Sequence, residues 1–293
     1  MLSVPNLSVG PITQIFLGSI NHPTGVQKED LVMVKVLKET NPSFIIRETF
    51  EAEAYCVSTF NHINVQSLVG VCANSVPLCM VFEFSSDYQN LNDFLRDCDS
   101  PSHYVVLRQR SDTNRSLDNE LKLSGLDLLC MARQVASGME YLSDAGHIHK
   151  QLCTMNCIVG KALNVKISGI GISWSHPCTN YYKLDAKDRE KYPVRWYPPE
   201  TIQYGAFSED TDIWSFGVVL WELHSFGLEP YYGMNNEEVI SLVREGDVLP
   251  CPKDCPLDVY QLMKDCWNLM PSDRPRFSTL HQRISAMYLP TAV

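Results

Sequence analysis

Between His147 and Gly171 the chain reads HIHKQLCTMNCIVGKALNVKISGIG, and the residue types there limit the chemistry it can do. Gln151 carries an amide, which cannot take a proton from a hydroxyl at neutral pH and so is no general base. Gly169 offers no side chain at all, and Asn156 is a neutral amide that can donate and accept hydrogen bonds. His147, His149, Cys153 and Cys157 stand at short spacings that invite a zinc assignment. Their spacing matches no structural zinc motif, and a loop followed by a strand scatters the side chains, so packing roles and no metal site are expected.

This stretch reads as a loop, a short strand pair (Cys157 to Val159, then Asn164 to Ser168) and a second loop, and the remaining elements must hold it in place. Residues 4 to 38 alternate apolar and polar in three short runs, predicting a hairpin plus a third strand. Asn41-Pro42 predicts a cap and a first-turn proline for a helix from Ser43 to about Phe60. Gln66 to Val71 and Leu78 to Phe84 read as two more strands. The expected first lobe, residues 1–84, is therefore a five-stranded sheet with one helix.

From residue 85 to 293 the pattern is mainly helical. A short helix is expected over Asn90 to Arg96, then a polar surface insert over 97–125. Leu129, Ala132, Ala136 and Met139, at helical spacing with Gly146 near the stop, predict a strong helix. A polar segment follows to Pro199. Further helices are predicted after Ser208, after Asn235 with Glu238 as a capping pair, over Pro256 to Met270 and over Phe277 to Met287.

The 293 residues, 45% of them hydrophobic, suffice for two lobes with a sizeable core. A net charge of −10 without basic runs argues against nucleic acid as the main partner. The 11 cysteines lack a repeated spacing, which suits a reducing compartment. No apolar run approaches the roughly 20 residues that span a bilayer, and no secretory leader is expected.

Ordered motifs then accumulate: Val32-Met33-Val34-Lys35, Glu53, Pro198-Pro199-Glu200, Asp212-Ile213-Trp214-Ser215-Phe216-Gly217, and Cys266-Trp267 before Arg274-Pro275. The set resembles a protein kinase domain, and Pro193-Val194-Arg195-Trp196 before Pro198 is similar to tyrosine kinases. Ser225 to Gly233 and Cys251-Pro252-Lys253-Asp254-Cys255-Pro256 resemble the Ror receptors and the muscle-specific receptor tyrosine kinase. The likeness covers residues 4 to 288. It implies an α+β, bilobal protein-kinase-like fold, with the activation segment over 169–200.

Set against that family, this chain departs where the chemistry lies. Gln151 stands where the family has its base and Gly169 where it has the metal-binding aspartate; Asn156 survives, and Met155 replaces a substrate-seating arginine. The glycine-rich loop aligns with Ser8, Gly10 and Thr13, one glycine of three, and Pro11 removes an N–H from the phosphate cradle. Met33 replaces the small alanine against the adenine ring. Lys35 and Glu53 remain as the pair that would orient phosphates, or that ties helix to sheet.

The resemblance thus implies a pseudokinase: the intracellular domain of a Ror-like receptor, on the cytoplasmic side of the plasma membrane. It would act as a scaffold in signalling of the Wnt type, without expected cofactors. The alternative is a weak tyrosine kinase using ATP and magnesium through Lys35 and Asn156. Asp212, Glu200 and Arg274 carry structural roles in the family. Tyr181-Tyr182 are candidate phosphorylation sites for a trans-acting kinase, and Thr291-Ala292-Val293 a candidate ligand for a PDZ domain. Signalling proteins are the expected partners, and the membrane enters only through a receptor segment outside this sequence.

Overall fold

A computed structural model describes residues 6–9, 13–21, 29–99, 123–170 and 193–288. Gly10, Tyr181, Tyr182, Thr291–Val293 and most of the 97–125 insert and the 169–200 segment lie outside the described residues.

The alternating runs become β1 (Asn6–Val9), β2 (Thr13–Asn21) and β3 (Glu29–Leu37), followed by α1 (Phe44–Ser58), β4 (Leu68–Cys72) and β5 (Cys79–Glu83). These five strands form one antiparallel sheet in the order β1-β2-β3-β5-β4, so β3 is central and carries Met33 and Lys35 into the middle of the lobe. The α1 cap differs from expectation. Ser43, not Asn41, is the N-cap, its hydroxyl accepting the Ile46 N–H at 3.4 Å. Pro42 therefore precedes the helix, where its missing N–H costs nothing.

A two-residue strand, β6 (Gln89–Asn90), leads into α2 (Leu91–Asp99), which runs three residues beyond its expected end at Arg96. Next comes α3 (Gly125–Asp144), opened by a capping box in which Ser124 and Asp127 satisfy each other's backbone N–H. The strand pair follows as β7 (Cys157–Val159) and β8 (Val165–Ile167), with β6 completing a small antiparallel sheet. The second lobe continues through α4 (Pro199–Tyr204), α5 (Glu209–His224), α6 (Asn236–Glu245), α7 (Leu257–Cys266) and α8 (Phe277–Tyr288). Asn235 and Glu238 form the capping box of α6, and Gly246 ends it in the left-handed conformation. No described helix is long and apolar enough to cross a membrane.

Helix α5 is buried on every side from Thr211 to His224, its carboxylates Asp212 and Glu222 included, which makes it the axis of the helical lobe. The lobes meet through a strand-like bridge. Gln66 N–H donates to the Ile167 carbonyl at 2.9 Å, and Ile167 N–H to the Asn64 carbonyl at 2.8 Å. Helix α3 packs so closely beneath this bridge that a Cβ at Gly138 would lie 2.7 Å from the Asn64 carbonyl oxygen. One continuous hydrophobic core runs from Met80 and Phe82 in the sheet through Met139 and Ile167 to Phe216 and Leu280.

Candidate functional site

Lys35 enters the cleft from β3. It is 6% exposed, and burial lowers its pKa to about 8, with the charge of Glu53 on α1 opposing that drop. Its ammonium donates to the Gly169 carbonyl at 2.9 Å and reaches the Ile170 carbonyl at 3.4 Å. The lysine is thus bonded to the backbone at the position where the family pattern would have a carboxylate.

Gly169 occupies the left-handed region, with φ of +78°. A Cβ there would meet Asn156 Cγ at 3.0 Å and Oδ1 at 3.1 Å, so the Asn156 amide closes over the space beside Gly169. Asn156 Nδ2 in turn donates to the Gln151 carbonyl at 2.7 Å. Lys35, from the sheet, is therefore brought to one place with Gln151, Asn156 and Gly169 of the central stretch.

The loop that carries Gln151 is held from α5. Asp212, 1% exposed, accepts the backbone N–H of His149 at 2.7 Å and of Lys150 at 2.8 Å. Burial pushes the Asp212 carboxyl up to about 7, against those two donors. Gln151 N–H donates to His149 Nδ1 at 3.3 Å, so the ring proton sits on Nε2 and is given to the Ser168 carbonyl at 2.9 Å. Burial lowers the His149 pKa to about 4 and keeps the ring neutral.

Further along the loop a second buried carboxylate takes over. Glu222 accepts Thr154 N–H at 3.0 Å, the Thr154 hydroxyl at 2.7 Å and Trp196 Nε1–H at 3.1 Å. Asn92 Nδ2 then donates to Thr154 Oγ1 at 2.8 Å. Burial pushes Glu222 up to about 7 as well. Sequence reasoning missed this network, although an acidic residue inside the apolar run Val218–Leu223 was the available signal.

Met33 lies opposite Leu17 and Phe82 in the sheet. Its thioether sulfur is 3.9 Å from Gln66 Nε2, and the same amide nitrogen donates to the Glu83 carbonyl at 2.8 Å. One buried amide therefore engages both the methionine and the end of β5.

Away from the cleft, Arg274 is 5% exposed and grips Glu200 with two bonds, at 2.6 and 3.1 Å. It also donates to the carbonyls of Asp210 at 2.9 Å and Asn268 at 2.8 Å, and stacks over Trp214. Among the described residues no three His, Cys, Asp or Glu side chains converge as a metal centre. His147, His149, Cys153 and Cys157 thus do not gather.

The family model for protein tyrosine and serine/threonine kinases matches residues 3–284. The chain is 36% identical over 96% of its length to the tyrosine-protein kinase transmembrane receptor Ror of Drosophila melanogaster. It is 37% identical over 96% of its length to the high affinity nerve growth factor receptor of Rattus norvegicus, and 35% over 96% to the NT-3 growth factor receptor of Macaca fascicularis. It covers 38%, 34% and 33% of these three proteins, about a third of each. Near-equal identity to a Ror and to two growth factor receptors singles out no subfamily. The chain belongs to the protein tyrosine and serine/threonine kinase family, as a tyrosine-kinase-like domain related to those of receptor kinases.

Proposed function

We propose that this domain is a pseudokinase: a kinase-fold signalling module on the cytoplasmic side of a receptor that binds partners and transfers little or no phosphate. The observation that carries this reading is the pairing of Lys35 with the Gly169 backbone in a site without Gln151 or Gly169 carboxylates. Magnesium requires several oxygen ligands, usually including carboxylates, and neither Gln151 nor Gly169 supplies one beside Asn156. A positioned base is worth roughly 10² to 10⁴ in rate, and an amide at 151 supplies none of it. Losses in parts that act on one transition state do not rescue each other.

Within this reading the parent is a Ror-like receptor, with signalling of the Wnt type as the context. Tyr181 and Tyr182 are substrates for another kinase. A second reading, a weak tyrosine kinase with Lys35 on the phosphates and Asn156 as a residual ligand, is favoured by one observation: the charge of Glu53 acts on Lys35 against the lowering effect of burial. Titration with ATP, with and without magnesium, joined to a phosphotransfer assay, separates the two. The proposed reading expects no magnesium-dependent stabilisation and no transfer; rapid autophosphorylation of the purified domain would overturn it.

A further inference from the structure

Cys72 closes β4 and Cys79 opens β5, and the strand register sets the two directly opposite each other. Directly opposed residues on antiparallel strands have Cα atoms roughly 4.5 to 5.5 Å apart. That separation falls inside the roughly 4.4 to 6.8 Å that a disulfide spans. Both cysteines are free and half-buried, and the Cys72 sulfur is one of the groups that push the Cys79 thiol up. The Cys72 sulfur also lies 3.1 Å from the Ser75 hydroxyl and 3.8 Å from the Ser75 carbonyl. Cys153, Cys157 and Cys266, by contrast, are shut inside the core.

We propose that Cys72 and Cys79 form a reversible dithiol–disulfide site, oxidised by peroxide, at the open end of the β4–β5 pair. The sulfur of Cys72 attacks one peroxide oxygen, the O–O bond breaks, and the departing hydroxide leaves as water with the thiol proton. The Cys72 sulfenic acid is then attacked by the Cys79 sulfur; the S–S bond forms as the S–O bond breaks, and a second water leaves. One hydrogen peroxide thus takes two electrons and two protons from two thiols and becomes two waters. A dithiol reductant returns them by exchange at the disulfide.

The order follows from the surroundings. Burial and the neighbouring sulfur push the Cys79 thiol up, so it keeps its proton and acts second. In a reducing compartment the pair rests as the dithiol and the bridge is transient. The site is not mechanically isolated, because Arg47 of α1 donates to the Ala73 carbonyl at 3.4 Å, one residue beyond Cys72. Closing the bridge therefore stiffens the strand end against which α1, the helix bearing Glu53, is tied.

The test is a thiol map of the folded domain after hydrogen peroxide, with remaining thiols alkylated before digestion. The expected result is a peptide cross-linked between Cys72 and Cys79, two fewer free thiols, and full recovery with dithiothreitol. A Cys79→Ser variant is expected to leave a dimedone-trappable sulfenic acid on Cys72. The proposal is overturned if both cysteines are recovered alkylated or irreversibly oxidised from folded protein. It is equally overturned if the only cross-link joins Cys251 to Cys255, whose sulfurs also influence one another. The wild-type map decides alone if the variant does not fold.

Discussion

The ammonium of Lys35 and the carbonyl oxygen of Gly169, 134 positions apart in sequence, lie 2.9 Å from each other. The sheet and the loop after β8 are thereby joined by a charged donor on a backbone acceptor, with no side chain from position 169 involved.

Replacing that donor has a cost without any ligand present. Lys35→Met leaves the Gly169 and Ile170 carbonyls short of a partner. Bonds to a charged group contribute about 1.5 to 3 kcal/mol each, offset by relief from burying the ammonium. Urea unfolding of the nucleotide-free variant is expected to show a loss of about 1 to 3 kcal/mol. Unchanged stability would mean that the lysine contributes nothing to the fold.

Restoring a carboxylate at 169 does not restore a site. Gly169→Asp places a Cβ in the left-handed region and within 3.0 Å of Asn156 Cγ. The backbone penalty is about 1 to 2 kcal/mol, less for aspartate than for most residues. A lowered melting temperature is expected, with no added stabilisation by ATP and magnesium, because Asn156 closes over the space the new carboxylate would need. A magnesium-dependent upward shift would refute this.

Scaffold and chemistry separate under mutation. Arg274→Ala strands a partly buried Glu200 and two carbonyls, and breaking such a pair from one side costs roughly 3 to 5 kcal/mol. Gln151→Ala keeps the backbone N–H and carbonyl that the loop uses, and its stability is expected to stay within about 0.5 kcal/mol. Comparable melting losses for the two variants would contradict this division.

His224 gives a pH-dependent test. Burial lowers its pKa to about 4, and its Nε2 is buried without a hydrogen-bond partner. The folded-state value lies below the unfolded value of about 6.5, so the neutral ring's contribution is present above pH 6.5 and is lost as pH falls through 4. His147 and His149, also lowered to about 4, act in the same direction. Asp212 and Glu222, raised to about 7, act in the opposite one, their contribution being lost as pH rises through 7. His224→Phe removes one histidine and changes nothing else in this balance. Denaturant unfolding at pH 7 and pH 5 is expected to show less acid destabilisation in the variant than in wild type; equal losses would exclude a buried neutral ring.

Much of the fold was legible because it rests on local signals. The period-two runs gave β1 to β3, and Asn235 with Glu238 gave the start of α6. Where two capping signals stood side by side, the nearer one prevailed: Ser43 caps α1 although Asn41 and Pro42 precede it. The six-residue α4 is too short to show periodicity and falls between the polar segment that ends at Pro199 and the helix predicted after Ser208. Residue types at 151 and 169 show directly that neither position carries a carboxylate, while the roles expected there come from the family resemblance. The carbonyl partners of Lys35 were not legible, because a backbone acceptor leaves no trace in residue type. Nor was the joining of Asn92, Thr154, Trp196 and Glu222, which depends on four separate elements converging.

Asp212 and Glu222 stand ten positions apart on one helix, about 15 Å along its axis, and between them they anchor both ends of the segment from His149 to Thr154. Asp212 grips the main-chain amides of His149 and Lys150, and Glu222 that of Thr154. The side chains at 151 and 155 are consequently spectators of folding. Natural variation can rewrite them without passing through an unfolded intermediate, so the architecture and its chemistry are free to evolve on separate ledgers.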